Sequence, residues 1–221
     1  MTMPKTTELF DLSQSIASPL LRRYSLPWEA IPDIKDFVIE LGQRLNKTIY
    51  KEQMPNIWVA ISADIYPTCF IEPPCIIGER TVLRSSAFIR GGVIIGDDCV
   101  IGNSCELKNC IVFNNAQIPH FNYVGDSIIG YRAHFGAGVI TSNVKSDKTP
   151  VTIRVSDGKV ETGLKKLGAI VGDYAEVGCN TVLNPGTVLG KNSSVYPLSS
   201  VRGLVPENSI YKGADEIVRK V

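Results

Sequence analysis

Large aliphatic residues recur at every sixth position, at Ile65, Ile71, Ile77, Leu83, Ile89, Ile95, Ile101 and Leu107, and again at Val171, Val177, Leu183, Leu189, Val195 and Val201. Six is a whole multiple of the strand period of two, whereas steps of six scatter around a helix, so these segments are extended. The position two before each aliphatic shares its face and is small: Ala63, Cys69, Cys75, Thr81, Ala87, Cys99, Cys105, Ala169, Ala175 and Thr181. Glycine follows the aliphatic at Gly78, Gly96, Gly102, Gly172, Gly178 and Gly190, where a tight corner needs a permissive backbone. One short strand per hexad with a turn at each corner builds a prism of stacked coils. The aliphatic ladder fills it, and its backbone groups pair with the coils above and below at ~4.8 Å. The pattern predicts an all-β fold, a parallel β-helix, and leaves its handedness open.

The flanks follow other rules. Residues 1–58 carry helical spacing at Ile34, Phe37, Val38, Leu41 and Leu45, with Pro32 suited to a first turn. They read as a helical appendage that covers one end of the prism or serves a partner. The hexads run over 59–205 and are interrupted at 145–166, where VTIRV and KVE around SDG predict a protruding hairpin. Loops inserted into solenoids often carry function. The tail, 206–221, reads as a short helix.

The length, 221 residues, suits one domain with an appendage. Lys plus Arg number 23 and Asp plus Glu 22, a net charge of +1 without basic or acidic blocks, which argues against a general nucleic-acid binder or a polybasic membrane anchor. No apolar run approaches the ~20 residues of a membrane helix, and the first residues lack a signal-peptide core. The expectation is a cytoplasmic protein whose six cysteines, at no CxxC spacing, are reduced. Four of them occupy the small core positions, where a free thiol behaves as a small hydrophobe.

Positions 89, 107, 124 and 141 fall in one column, the last two steps being 17 because one hexad in each coil is a residue short. Arg90 and Lys108 therefore stack in successive coils. Two cations ~5 Å apart repel unless an anion joins them; they are either a solvated surface pair or a site for a compact anion such as a phosphate monoester. Tyr123 and Asn143 border the column. His120 lies three residues before Tyr123 and is either structural or a base, its imidazole being suited to take a proton near neutral pH. The other histidine, His134, comes one coil later. The two, placed roughly 10 Å apart by strand rise and coil spacing, do not supply the three shared histidines of the zinc-dependent β-helices, so no metal is expected.

From Phe88 to Asn143 the motifs FIRGG, CELKN, HFNYVGDS, FGAG and ITSN resemble the hexapeptide-repeat acyltransferases. Most of all they resemble the acetyltransferase half of the bifunctional enzyme that acetylates and uridylylates glucosamine 1-phosphate. The resemblance implies a left-handed coil and an N-acetyltransferase that moves acetyl from acetyl-CoA to the amine of an amino-sugar 1-phosphate, with no metal. It places the catalytic base on His120, phosphate contacts on Arg90 and Lys108, and sugar contacts on Tyr123 and Asn143. His134 stands where the family has a substrate-contacting asparagine, and Val144 where it has a tyrosine. Cys179 falls where the family has a serine near the acetyl group, and Arg202 and Lys212 match partners of the coenzyme A phosphates. The resemblance further implies a homotrimer with sites between subunits, in UDP-N-acetylglucosamine biosynthesis. Two alternatives remain: a non-catalytic β-helix binding a sugar nucleotide or a protein partner, and part of a pyrophosphorylase system. Nothing before residue 59 is long enough to form the nucleotide-binding domain that the last one needs.

Overall fold

The computed structural model describes residues 3–214 and 216–220. The hexads form a left-handed parallel β-helix, with each coil laying three short strands on three faces. The first face stacks Ile57–Ala60, Cys75–Ile77 and Val93–Ile95. On the second face, Asp64, Val82, Val100, Gln117, His134 and Glu176 lie one above another. The third carries Phe70, Phe88, Glu106, Tyr123, Ile140, Val182 and Ser200 in the same way.

The six-residue ladder lies inside. Ile77, Leu83, Ile89, Ile95, Ile101 and Leu107 belong to one fully buried cluster, joined by Cys75, Cys99, Cys105 and Cys110. Cys69 is half-buried and Cys179 exposed, and all six thiols are free. Burial pushes the thiols of Cys75, Cys99 and Cys110 up, that of Cys99 to about 12, which keeps them protonated and inert.

A second ladder, on the outside of the first face, has no counterpart in the hexad reading. Trp58, Ile76, Ile94, Ile111, Ile128, Ile170 and Val188 point away from the prism and are all buried. A face apolar on both sides must be covered. The N-terminal segment covers it with the helices Thr6–Leu9, Ser18–Leu21 and Ile34–Gly42, joined by the 3₁₀ turns Leu12–Gln14 and Pro27–Asp33. Leu20, Leu21, Ile31, Ile34 and Val38 pack there, and Phe10 stacks on Phe113 with ring centroids 5.0 Å apart. The appendage therefore lies along a flank of the prism rather than over its end. Buried Asp173 ties it down, accepting from the Asp11 N–H at 2.6 Å and the Tyr131 N–H at 2.9 Å.

The inserted segment is a hairpin of Thr152–Val155 and Gly158–Glu161. Val151, Ile153 and Leu167 join the same outer cluster and extend the cover toward later coils. The tail does not form the expected helix. Ser209–Gly213 and Glu216–Arg219 pair as an antiparallel hairpin, and the first of these strands continues the second face beneath Ser194–Val195. The hairpin covers the second face's last coil strand and ends that face in an antiparallel strand, Glu216–Arg219. No helix among the described residues is long and apolar enough to cross a membrane.

Ile111 sits mid-face between prism and appendage and is fully buried. Ile111→Ala is expected to destabilise the protein by about 2–5 kcal/mol, as deletion of a large buried aliphatic does, read as a lower urea midpoint. A change under about 0.5 kcal/mol, the scale of a surface substitution, would mean that the appendage does not pack there in solution.

Candidate functional site

The turn from the third face to the first is where the 17-residue steps arise. Three residues, Arg90, Gly91 and Gly92, separate Ile89 from Val93, but only Lys108 and Asn109 separate Leu107 from Cys110. One coil later only Gly125 and Asp126 turn the corner. The chain rounds these two tight corners inside single strands, Glu106–Val112 and Tyr123–Ile129. Asn109 and Asp126 take the left-handed conformation there, with φ of 46° and 48°, which Asn and Asp tolerate better than most residues. At the following corner, beyond Thr141, the chain leaves for the inserted hairpin.

Arg90 and Lys108 turn this corner in successive coils, and Tyr123 and Asn143 border it. The Arg90 N–H donates to the Leu107 carbonyl at 2.8 Å, which seats Arg90 on the coil of Lys108. Arg90 Nη1 also donates to Glu106 Oε1 at 2.7 Å, so the repulsion between the stacked cations is relieved in part by a carboxylate of the chain itself. Lys108 is half-buried and has no ion pair among the described residues. The Tyr123 ring folds across Gly125, the residue paired with Lys108. A Cβ at Gly125 would stand 2.4 Å from the Tyr123 hydroxyl, so glycine is required for the ring to lie there.

Behind the hydroxyl stands Asp126, only 4% exposed. Asn143 Nδ2 donates to Asp126 Oδ2 at 2.5 Å and to the Tyr123 hydroxyl at 3.2 Å, while Asn109 Nδ2 donates to Asp126 Oδ1 at 2.8 Å. The base of the hairpin closes the cluster: the Leu167 N–H donates to the Asn143 carbonyl at 3.0 Å and the Gly168 N–H to the Asp126 carbonyl at 2.8 Å. Burial pushes the Tyr123 phenol up, and the charges of Asp126 and Glu106 push in the same direction. It stays protonated and can donate.

The other candidates lie elsewhere. His120 ends the strand Gln117–His120 on the second face and is exposed. The third face separates it from the Arg90 and Lys108 corner, by about 13 Å for the four steps from Phe121 to Gly125 at ~3.3 Å each. Its carbonyl accepts from the Gly138 N–H, and Ala137 accepts from Asn180, so Cys179 shares the corner of His120 two coils further on. His134 points outward on the second face, its Nδ1 3.1 Å from Glu176 Oε2. Arg202 occupies the column of Arg90 and Lys108 but is four coils past Lys108, about 19 Å away at ~4.8 Å per coil. Lys212 is in the terminal hairpin, bonded to Glu216 at 3.0 Å.

Asp126, Asn109 and Glu106 escaped the sequence reading. A signal for the first two existed: a coil one residue short must tighten a corner, and a tight corner filled by Asn or Asp instead of Gly puts a polar side chain there. Nothing in the spacing marks Glu106 as the partner of Arg90.

Over about half of its length the chain is similar to known proteins. The bifunctional protein GlmU of Methanococcus maripaludis is 38% identical over 114 residues, 51% of this chain and 28% of that protein. The bifunctional sugar-1-phosphate nucleotidylyltransferase/acetyltransferase of Sulfurisphaera tokodaii is 32% identical over 105 residues, 48% of this chain and 26% of that protein. The chain thus matches little more than a quarter of the length of these relatives. A crystal structure of a putative acetyltransferase from Bacillus cereus superposes over 74% of this chain and 77% of its own, with a TM-score of 0.45 and 16% identity. The family model described as the GMPPB C-terminal domain matches residues 71–189, more than half of the chain and all of the coils that build the corner. The chain belongs to the GMPPB C-terminal domain family.

Proposed function

We propose that the chain is an acetyltransferase that moves acetyl from acetyl-CoA to the amine of an amino-sugar 1-phosphate, of which glucosamine 1-phosphate is the first candidate. The observation that carries this is the pair Arg90 and Lys108, stacked in successive coils beside the Tyr123 hydroxyl and the Asn143 carboxamide. A compact dianion and a hydroxylated ring match that set: charge-assisted bonds to the phosphate, neutral ones to the sugar. The names of the relatives, which pair sugar 1-phosphates with acetyl transfer, support the same reading.

The reaction needs a neutral amine, a base for its proton, and donors for the thioester oxyanion. Arg90 and Lys108 hold the phosphate and thereby orient the amine. His120 is the proposed base. The width of the third face stands between it and the corner of its own chain, so the reading pairs the His120 edge of one protomer with the Arg90 and Lys108 corner of the next, in a homotrimer. Exposed apolar residues on or beside that face, Phe70, Phe121, Ile140 and Leu198, support a neighbour there. Cys179, Arg202 and Lys212 are the proposed contacts of coenzyme A, and His134 is proposed to shape sugar preference.

The second reading, a non-catalytic β-helix that binds a sugar nucleotide or a protein partner, draws on the Arg90 to Glu106 bond. That bond occupies the guanidinium with an internal carboxylate.

Thiol release from acetyl-CoA, assayed against a panel of amino-sugar 1-phosphates, separates the two readings. The enzyme releases thiol with at least one member, whereas the binding module releases none and is not stabilised by coenzyme A. His120→Ala is expected to lower turnover by about 10²- to 10⁴-fold with little effect on sugar-phosphate affinity; normal turnover at neutral pH would make the histidine structural. Arg90→Ala and Lys108→Ala should each weaken the sugar phosphate by roughly ten- to a hundredfold and spare coenzyme A. Equal losses for both substrates would point to a folding defect. Glu106→Gln should tighten inorganic phosphate a few-fold by calorimetry, since it frees Arg90 from a competing charge, and unchanged affinity would place the anion elsewhere. Light scattering should give a trimer at micromolar concentration, and a monomer would remove the shared site.

A further inference from the structure

We infer that Asp126 is a positioning residue that fixes the hydrogen-bonding polarity of the corner, so that Asn143 presents its carbonyl acceptor and Tyr123 its hydroxyl proton to the substrate. The inference rests on the proposed amino-sugar phosphate site and deepens it, by stating what the ligand must offer at each of these two residues.

Asp126 is buried, and each of its carboxyl oxygens accepts from a side-chain amide nitrogen, Oδ1 from Asn109 and Oδ2 from Asn143. Exchanging the O and N of an Asn amide leaves its shape nearly unchanged, so orientation has to be taken from its partners. At Asn143 the partner decides. The structure sets Asn143 Nδ2 2.5 Å from Asp126 Oδ2, the orientation in which Asn109 and Asn143 both donate to the one carboxyl group. The same nitrogen lies 3.2 Å from the Tyr123 hydroxyl. Both of its hydrogens are then used, one toward Asp126 and one toward Tyr123.

Two consequences follow. The Tyr123 oxygen accepts from Asn143, so its own proton is left to point outward. Asn143 Oδ1 has no donor among the described residues, and the one buried side-chain N or O atom without a partner among them is Ser193 Oγ, so Asn143 Oδ1 is reached by solvent. The corner beside the two cations therefore offers one neutral acceptor and one neutral donor in fixed order. A ligand that meets both places an O–H or N–H on Asn143 and an oxygen lone pair on Tyr123.

The carboxylate is held in turn. Asn109 Nδ2 donates to Asp126 Oδ1 at 2.8 Å, and the same nitrogen makes a long contact, 3.4 Å, to the Ile31 carbonyl of the appendage. Asp126 thus sits between two amides, one rooted against the N-terminal segment and one at the mouth of the hairpin.

Asp126→Asn tests this with little change of shape. Its amide has one oxygen to offer two donor amides, so Asn143 loses its fixed orientation. The first readout is the side-chain amide of Asn143 in ¹⁵N-labelled protein, identified by its loss in Asn143→Ser. In the wild type both hydrogens should be protected from solvent exchange, and Asp126→Asn should speed their exchange at least tenfold; unchanged exchange overturns the inference whether or not the protein is an enzyme. The second readout is kinetic. KM for the sugar phosphate should rise about tenfold, as for loss of one or two neutral hydrogen bonds, with KM for acetyl-CoA within twofold of wild type. A fall in kcat with both KM values unchanged would overturn the positioning role. A wild type that acetylates no amino-sugar phosphate would fail the proposed function alone, and the exchange readout would still decide the polarity. If Asp126→Asn does not fold, Tyr123→Phe decides: one Asn143 hydrogen, facing Asp126, should stay protected and the other become fast. Two fast or two protected hydrogens would contradict the lock.

Discussion

The hydrogen-bond ladder between coils is the constraint on which the rest of the molecule depends. It holds residues 17 or 18 apart in sequence about 4.8 Å apart in space, so each coil's choice of side chain becomes part of a vertical column. A chain bound this way gains or loses residues only at corners, since a slip within a strand turns its interior residues outward. The coil through Lys108 loses one residue at a corner, and the inserted hairpin leaves from the same corner two coils later. Shortening and insertion thus coincide where the cations, the phenol and the buried carboxylate gather.

The same rule explains the appendage. The outward residue within each strand on the first face is large and apolar, so the ladder that stacks the interior also stacks an apolar ridge outside. The N-terminal helices and the hairpin share the task of covering it. Two segments far apart in sequence are thereby held against the strands that carry Asn109 and Asp126. The contact of Asn109 with Ile31 and the bonds from Leu167 and Gly168 show both covers touching the site.

The interior was legible in the sequence because a period of six leaves one physical interpretation. The corner was legible in part: stacking of Arg90 on Lys108 follows from counting alone, whereas the Glu106 bond depends on where long side chains fold. The outer ridge was missed because the hexad reading assigned one inward aliphatic per strand and left the residue before it unassigned, at Ile76, Ile94 and Ile111. The tail, read from the sequence as a short helix, instead pairs with the last coil, tertiary context overriding local preference as it does for short segments. His120 looked close to the corner in sequence. It lies across a face because the turn at Phe121 and Asn122 comes between them.

The central claim is that the turn from the third face to the first is where an amino-sugar phosphate binds. A crystal structure of the protein soaked with glucosamine 1-phosphate and coenzyme A tests it most directly. The account predicts the phosphate within about 2.7–3.2 Å of Arg90 and Lys108, with a sugar hydroxyl or the amine donating to Asn143 Oδ1 and a sugar oxygen accepting from Tyr123. A sugar phosphate bound on another face, with Arg90 still bonded to Glu106 and the corner holding only water, would contradict it.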